Sequence, residues 1–400
     1  MSGAGPRVLI AGAGIGGLAA ALALLRQGVD VEVYEQAPRL EEVGAGVQLS
    51  PNGNRALAEL GVLDKLRTLS CETEGKEVRH WATGETWPLF DLGAEGEARY
   101  GYPYLTVWRP DLLEVLAAAV RAAKPDAIRL GCRAVGFSQA GGRVGLELEG
   151  GRRVEGEALV GADGVHSRIR HALWGDDMPQ FAGMIAWRGV VPMTALPPHL
   201  ARNVATNWVG PGGHVVHYPL HRGELMNFVG IRERQDWRVE SWCVQGDAGE
   251  CARDFALWHE DVHRLIGAAP SLYKWALMVR EPMPRWTSGR VTLLGDACHP
   301  TLPMLAQGAV MAIEDGFILG RALAASPEEV PAALDRYERA RAERTRRMVL
   351  GSAENARRFH NRALAEPRTA KEFLDREWSR EAITARYDWL FTYDVTAASI

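Results

Sequence analysis

The stretch RVLIAGAGIGGLAAALALLRQGVDVEVYEQ, residues 7–36, admits few folds. Val8–Ala11 is an apolar run suited to a buried strand, and Gly12, Gly14 and Gly17 spell G-x-G-x-x-G directly after it. An Ala/Leu segment of strong helix formers follows and stops at Gly28, a residue that readily ends helices. Val29–Tyr34 alternates as a second strand and runs into Glu35. The pattern predicts strand, tight turn, helix and strand, the opening of a Rossmann-like α/β domain. Gly12 permits the turn, Gly14 lets the backbone approach a pyrophosphate, and Gly17 lets the helix pack close to the strand. The helix N-terminus attracts the phosphates. Glu35 is placed to accept from ribose hydroxyls, and its charge disfavours the 2′-phosphate of NADP as this site's ligand. A dinucleotide is expected, with FAD and NAD both open at this point.

Residues 8–25 are uncharged and long enough to imitate a membrane span. Their glycines sit at fixed offsets, however, so the segment reads as a buried strand, turn and helix, with no membrane partner expected. A formal net charge of −4 gives no reason to expect nucleic-acid binding. Five scattered cysteines (Cys71, Cys132, Cys243, Cys251 and Cys298) favour free thiols in a reducing cytoplasm. The absence of a C-x-x-C pair argues against a zinc site, and no metal is expected.

Two later segments repeat the strand-then-acid theme. Residues 158–170 read ALVGADGVHSRIR, an apolar strand followed by Asp163-Gly164. Residues 291–315 read VTLLGDACHPTLPMLAQGAVMAIED, a strand, then Gly295-Asp296, a proline-bearing loop, and Gln307-Gly308 opening a helix. With the N-terminal glycine motif, these segments make the chain resemble the single-component FAD-dependent aromatic hydroxylases, the family of hydroxybenzoate and salicylate hydroxylases. The three motifs occur in family order from residue 8 to about 320, most of the chain.

The resemblance implies FAD as cofactor, NADH or NADPH as electron donor, and O₂ as co-substrate. It implies transfer of OH from a flavin C4a-hydroperoxide to an electron-rich ring. Asp296 matches the family aspartate at the ribose and ribityl region of FAD. Pro300–Gly308, with Gly308 and Ala309 opening the next helix, matches the segment beneath the flavin. Asp163 matches the carboxylate of the segment that serves both FAD and the nicotinamide. Arg109, in VWRPDL, matches an arginine near the FAD phosphates. GAGVQLSPN, residues 44–52, matches the loop beside the flavin ring, with Gly46, Val47 and Gln48 nearest. Pro303 and Met304 are expected to shape the substrate pocket. His299 falls at a position that varies in the family, and local hydrogen bonding is its expected role.

The rest of the chain is organised around this core. Residues 1–75, 100–178 and 284–330 are expected to form a discontinuous FAD-binding domain, and 76–99 and 179–283 a substrate domain. The runs MIAWRGVV, NVATNWVG, HVVHYPL and LMNFVGI alternate with period two, which predicts an antiparallel sheet. One face would pack on helices, while the other would roof a pocket at the domain junction. Residues 331–400 form a C-terminal helical region. Its arginine-dense helix is expected to be solvated or subunit-facing, and its aromatic tail to pack on the body or on a partner chain, which makes a homodimer reasonable.

The segment GPGGHVVHYP, residues 210–219, holds two histidines three apart. Its β-branched and aromatic residues favour a strand. Strand alternation puts His214, Val216 and Tyr218 on one face and His217 on the other, so the two histidines cannot share a metal. A similar His and Tyr, four apart after Gly-Pro, face the substrate ring in some of these hydroxylases. The resemblance thus assigns His214 as base and Tyr218 as a partner that orients the phenol or a carboxylate. A phenol with pKa near 10 is about one part in a thousand ionised at pH 7, a deficit of ~4 kcal/mol that such a base offsets. Arg188 is a candidate for a substrate carboxylate. The expected substrate is a phenolic aromatic acid, 3-hydroxybenzoate or a similar hydroxybenzoate. An N-heteroaromatic acid such as 6-hydroxynicotinate is the alternative, although Gln48 and Met304 stand where those enzymes have histidines. A flavin reductase or dehydrogenase without oxygen insertion is a further alternative.

Overall fold

The computed structural model describes residues 6–40, 45–175, 178–237, 239 and 244–400. Gly44 of the flavin-side loop and Cys243 lie outside them. The N-terminal motif folds as its pattern predicts: strand Arg7–Ala11, helix Ile15–Arg26 and strand Asp30–Tyr34. The helix is buried along most of its length, from Ile15 to Leu24. Each leucine fully buried there contributes about 1.5–3 kcal/mol over leaving it in water, and none faces lipid. Among the described residues no helix is long and apolar enough to cross a membrane.

A six-stranded sheet organises the first domain. Its order is Thr287–Ser288, Val291–Leu293, Ala158–Gly161, Arg7–Ala11, Asp30–Tyr34 and Ile128–Arg129. All neighbouring pairs are parallel except the antiparallel edge pair of Thr287–Ser288 with Val291–Leu293. The strands that precede the three motifs are therefore neighbours. Their carboxyl ends point the same way, the end at which open parallel sheets bind ligands. Helix Gly308–Ala325, which follows the third motif, lies on helix Ile15–Arg26. The contact is a close one: a Cβ on Gly316 would stand 2.6 Å from the Ala20 nitrogen, and one on Gly320 would stand 2.8 Å from the Ala23 Cβ. A separate three-stranded antiparallel sheet, Ala134–Ala140, Arg143–Leu148 and Arg153–Gly156, adds a layer that the sequence pattern did not indicate.

The second sheet has eight strands, in the order Gln245–Gly246, Leu272–Val279, Gln180–Pro192, Leu225–Glu233, Gly213–Leu220, Val204–Gly210, Gly75–His80 and Thr86–Asp91. The four alternating runs are all strands of it. Register sorts its side chains. Val209 pairs with His214, His214 with Ile231, and Ile231 with Ala186, so these share a face. By the same alternation Lys76, Asn207, Tyr218, Asn227 and Arg188 belong to that face. The opposite face carries Trp187, Trp208, Phe228 and Val215 and packs on helices Ala248–Asp254 and Glu260–Ala268 through Phe255, Val262 and Leu265.

The C-terminal residues form helices Val330–Phe359, Pro367–Glu377 and Arg380–Phe391. The aromatic tail packs on the body, with Phe391 against Phe90, Tyr100 and Tyr104. The long arginine-rich helix, expected to be solvated or subunit-facing, is exposed on one side and buried on the other. Tyr337, Arg341, Thr345, Met348 and Phe359 make a buried stripe along it, and Arg341 is fully enclosed. Arg341 and Arg344 meet carboxylates of helix Gly308–Ala325, while Arg339, Arg346, Arg347 and Arg357 are exposed.

Candidate active site

The cleft at the ends of the parallel strands is built from backbone. Gly12 has φ +104°, and a Cβ there would meet the Ala162 carbonyl oxygen at 2.4 Å, where the second motif begins. A Cβ on Gly17 would stand 2.0 Å from the Gly12 oxygen. Gly14 differs: a Cβ there would meet nothing within 4 Å among the described residues. The first two glycines are required by the fold, whereas Gly14 borders open space at a helix start. That combination is the cradle a pyrophosphate needs. Glu35 stands beside the turn, one carboxylate oxygen accepting from the Ala13 N–H at 2.8 Å and the other from the Ala37 N–H at 2.8 Å. Lone pairs remain on both oxygens for ribose hydroxyls.

Asp163 uses its carboxylate locally. It accepts from the Ser167 hydroxyl at 2.5 Å and from the N–H groups of Arg168 and Ile169 at 2.7 and 3.2 Å. It thereby shapes the turn before helix Arg168–Trp174. Asp296 is exposed, yet the surrounding protein pushes its carboxyl up by displacing water, with His299 and Arg109 acting in the opposite sense. Both features fit a side chain at the floor of a cleft. Arg109 opens helix Arg109–Ala123, and its N–H donates to the Ala45 carbonyl at 2.9 Å. The glycine loop, Glu35 and Asp296 follow the carboxyl ends of strands of one parallel sheet, Arg109 lies close enough to Asp296 for their charges to interact, and these residues fit an FAD.

A second wall is the eight-stranded sheet. The Gly46 N–H donates to the Asn227 Oδ1 at 3.1 Å, and a Cβ on Gly46 would stand 2.6 Å from the Tyr218 ring. The flavin-side strand Gly46–Leu49 therefore rests on the face that carries His214 and Tyr218. Val47 is half-buried behind it, against the core of the first domain. Gln48 Oε1 accepts from the Tyr104 hydroxyl at 2.8 Å and from Lys76 Nζ at 3.3 Å. Burial pushes the Tyr218 phenol up, opposed by a hydrogen bond with Gln48 and by the charge of Arg188. Arg188 is buried on the same face, its guanidinium 5.5 Å from the Tyr273 ring centre and 5.4 Å from that of Trp275. Met304 is buried in the cluster that contains Val209 and Ile231, the neighbours of His214, while Pro303 beside it is exposed. Gly308 and Ala309 open the helix behind this loop.

The two histidines separate as alternation requires. His217 is buried on the helix-covered face with no hydrogen bond at either ring nitrogen among the described residues, and burial pushes it down to about 3. His214 is buried on the site face. Its Nδ1 lies 2.8 Å from His360 Nε2, and Phe359 stands edge-on to it. Burial, reinforced by His360, holds it well below the usual histidine range.

Several site residues were not singled out in the sequence. Gln307 Nε2 donates to Ser50 Oγ at 2.9 Å, and Asn52 Nδ2 donates to Gln307 at 3.2 Å and to Glu314 at 2.7 Å. Asp315 accepts from the Gly295 N–H at 3.2 Å and pairs with His299 at 2.7 Å. His299 is thus held by its own loop as expected, its N–H donating to the Gly295 carbonyl at 3.0 Å, and in addition by the following helix. Arg341 and Arg344 close this network from the C-terminal helix. Ala306, between Pro303 and Gln307, adopts a left-handed φ of +54°, so a tied-down loop precedes the helix. Lys76 was legible in principle, since its parity in GKEVRH is that of an inward residue. His360 carries no local signal, because its partners come from two other elements.

A model of the FAD binding domain family matches residues 6–352. The chain belongs to the FAD-dependent aromatic hydroxylases. This hydroxylase is an enzyme and a flavoprotein monooxygenase. It is 38% identical over 355 residues to a 3-amino-4-hydroxybenzoate 2-monooxygenase of Streptomyces platensis, covering 89% of each chain. It is 38% identical over 392 residues to the 3-hydroxybenzoate 6-hydroxylase of Polaromonas naphthalenivorans, covering 97% of this chain and 96% of the other. The hydroxylase also superposes on a substrate complex of salicylate hydroxylase with a TM-score of 0.83 at 26% identity, covering 99% and 97% of the two chains.

Proposed function

We propose that this hydroxylase uses NADH or NADPH and O₂ to hydroxylate a phenolic aromatic acid, 3-hydroxybenzoate or a similar hydroxybenzoate. One observation carries the reading: a single sheet face carries a neutral imidazole, a phenol and an ammonium, from His214, Tyr218 and Lys76, and the strand Gly46–Leu49 rests on that face at Tyr218 and Lys76. When bound, FAD reduced by the nicotinamide supplies the electrons that activate O₂ for insertion of one oxygen atom into the ring. The chain's own residues prepare the ring. His214, neutral at physiological pH, accepts the phenolic proton, and the phenolate is the more electron-rich nucleophile. Tyr218 remains protonated and donates to the substrate, fixing its orientation. The sheet and the loop around Met304 exclude water from the reacting carbon.

Lys76 supports the acidic part of the substrate. Among the described residues no carboxylate pairs with it; its contacts are Gln48 and the Tyr104 ring, 5.7 Å away. Burial alone pushes it down to about 8, because a buried ammonium without a counter-ion is costly. A substrate carboxylate is the counter-ion the site lacks. Lys76→Met is expected to raise KM about 10- to 100-fold, the loss of one charge-assisted contact of ~1.5–3 kcal/mol, with FAD binding unchanged. In the wild type, affinity should fall as pH rises through about 8, since Lys76 loses its proton there. Bound carboxylate favours the ammonium, so the midpoint in the complex lies at or above that value. Lys76→Arg should abolish the pH dependence. A KM in Lys76→Met equal to wild type would remove Lys76 from the site.

Monohydroxylated benzoates, supplied one at a time with NADH, test the reading as a whole. At least one should accelerate NADH oxidation and yield a dihydroxylated product. No acceleration by any phenolic acid would overturn the substrate class. His214→Ala is expected to bind FAD normally, to hydroxylate ~10²–10⁴-fold more slowly, and to release more peroxide per NADH consumed. Unchanged coupling at neutral pH would remove His214 from the chemistry.

A further inference from the structure

His214 is a poor resting place for a proton. It is buried, apolar Phe359 stands against it, and its environment disfavours the imidazolium. A proton accepted there has to move on. A hydrogen-bonded chain leads outward. His214 Nδ1 lies 2.8 Å from His360 Nε2, and His360 Nδ1 lies 3.2 Å from Glu233 Oε1. His360 is buried with 2% of its side chain accessible, whereas 58% of the Glu233 side chain is accessible. The chain thus runs from the site face of the sheet to solvent through two elements, the end of strand Leu225–Glu233 and the residue after helix Val330–Phe359. Backbone fixes it, since the Gly212 N–H donates to the His360 carbonyl at 3.1 Å.

We propose that His360 and Glu233 relay the substrate's phenolic proton from His214 to solvent, an assignment that rests on the phenolic-substrate reading. The phenolic O–H bond breaks and its proton binds His214 Nε2. The Nδ1 proton of His214 passes to His360 Nε2, the Nδ1 proton of His360 passes to Glu233, and water takes it from there. No electrons move, and the chain resets when a proton returns along it to the product phenolate. Glu233 suits the outlet. The His360 contact holds its carboxyl below the usual range against partial burial, with Arg232 and Arg362 nearby in the same sense. It is ionised, and so able to accept, at neutral pH.

The test uses the FAD-loaded enzyme. In stopped flow with 3-hydroxybenzoate and a pH indicator in weak buffer, the wild type should release a proton as phenolate absorbance appears. His360→Gln should slow both signals at least tenfold. Glu233→Gln, at an exposed position that tolerates change, should slow proton release and shift its pH profile, and Glu233→Asp should restore it. Wild-type rates and pH profile in both His360→Gln and Glu233→Gln would overturn the relay. Nitrogen NMR of ¹⁵N-histidine-labelled enzyme gives an arm independent of substrate. It should find the resting proton of His214 on Nδ1, and a proton on His214 Nε2 would overturn the relay because that atom could then accept nothing. If the wild type forms no phenolate from 3-hydroxybenzoate, the substrate reading fails, and the tautomer decides the relay separately.

Discussion

Arg341→Met is expected to destabilise the protein by about 3–5 kcal/mol, the cost of leaving buried carboxylates without their partner. Arg341 is fully enclosed, with Nε 2.6 Å from Asp315 and Nη2 2.8 Å from Glu314, both also fully buried. Burial pushes these two carboxyls up, but the facing charges outweigh it and hold both below their ordinary range. Methionine keeps the length of the arginine stem and removes the charge together with the guanidinium's donors, including those to the Tyr393 hydroxyl and the Met311 carbonyl. Arg344 still reaches Glu314 at 2.9 Å and His299 still reaches Asp315 at 2.7 Å, so the protein should fold, at lower stability. The damage should extend to the cofactor. Glu314 holds Asn52, Asn52 holds Gln307, and Asp315 holds the Gly295 N–H, so the network braces both flavin-side loops. Denaturant midpoints and FAD titration check this. Because the carboxyls are depressed, their contribution is fully present above about pH 4, the unfolded value, and is lost below it, as pH falls through the lower folded values. A variant as stable as wild type at neutral pH would show that Arg341 is not the partner the carboxylates depend on.

Gly14→Ala and Gly17→Ala should fail in different ways. At Gly17 an added Cβ stands 2.0 Å from the Gly12 oxygen, so helix and turn must separate. Overpacking of this kind costs about 1–3 kcal/mol or more, and FAD binding should be lost with the turn. At Gly14 the Cβ meets nothing within 4 Å among the described residues and the backbone, with φ −71°, accepts alanine. The FAD-free protein should keep its stability to within about 1 kcal/mol, the scale of a changed helix cap. Its methyl nevertheless enters the space of the pyrophosphate, so FAD affinity should fall about 30-fold or more, equivalent to ~2 kcal/mol. Equilibrium unfolding of the FAD-free proteins and titration with FAD separate the cases. If Gly14→Ala binds FAD as well as wild type, the cradle is not where the pyrophosphate lies.

The sequence by itself determined the local geometry. Glycine spacing set the turn at Gly12–Gly17, and alternation in GGHVVHYP set His214 and Tyr218 on one strand face with His217 on the other. These features follow from backbone periods of two or 3.6 residues, which act within a few positions. It also sufficed for the family, because three motifs in order are a one-dimensional signal. The tertiary structure decided which sheet face meets the flavin-side strand, since both faces of Gly213–Leu220 carry buried polar and apolar residues alike. It brought Lys76 to Gln48 and His360 to His214, contacts between residues 28 and 146 positions apart. It also turned Arg341 of helix Val330–Phe359 inward, onto two buried carboxylates. A charge-rich helix looks solvated when its carboxylate partners lie on another element, and a buried charge is recognisable only once its counter-ion is in place.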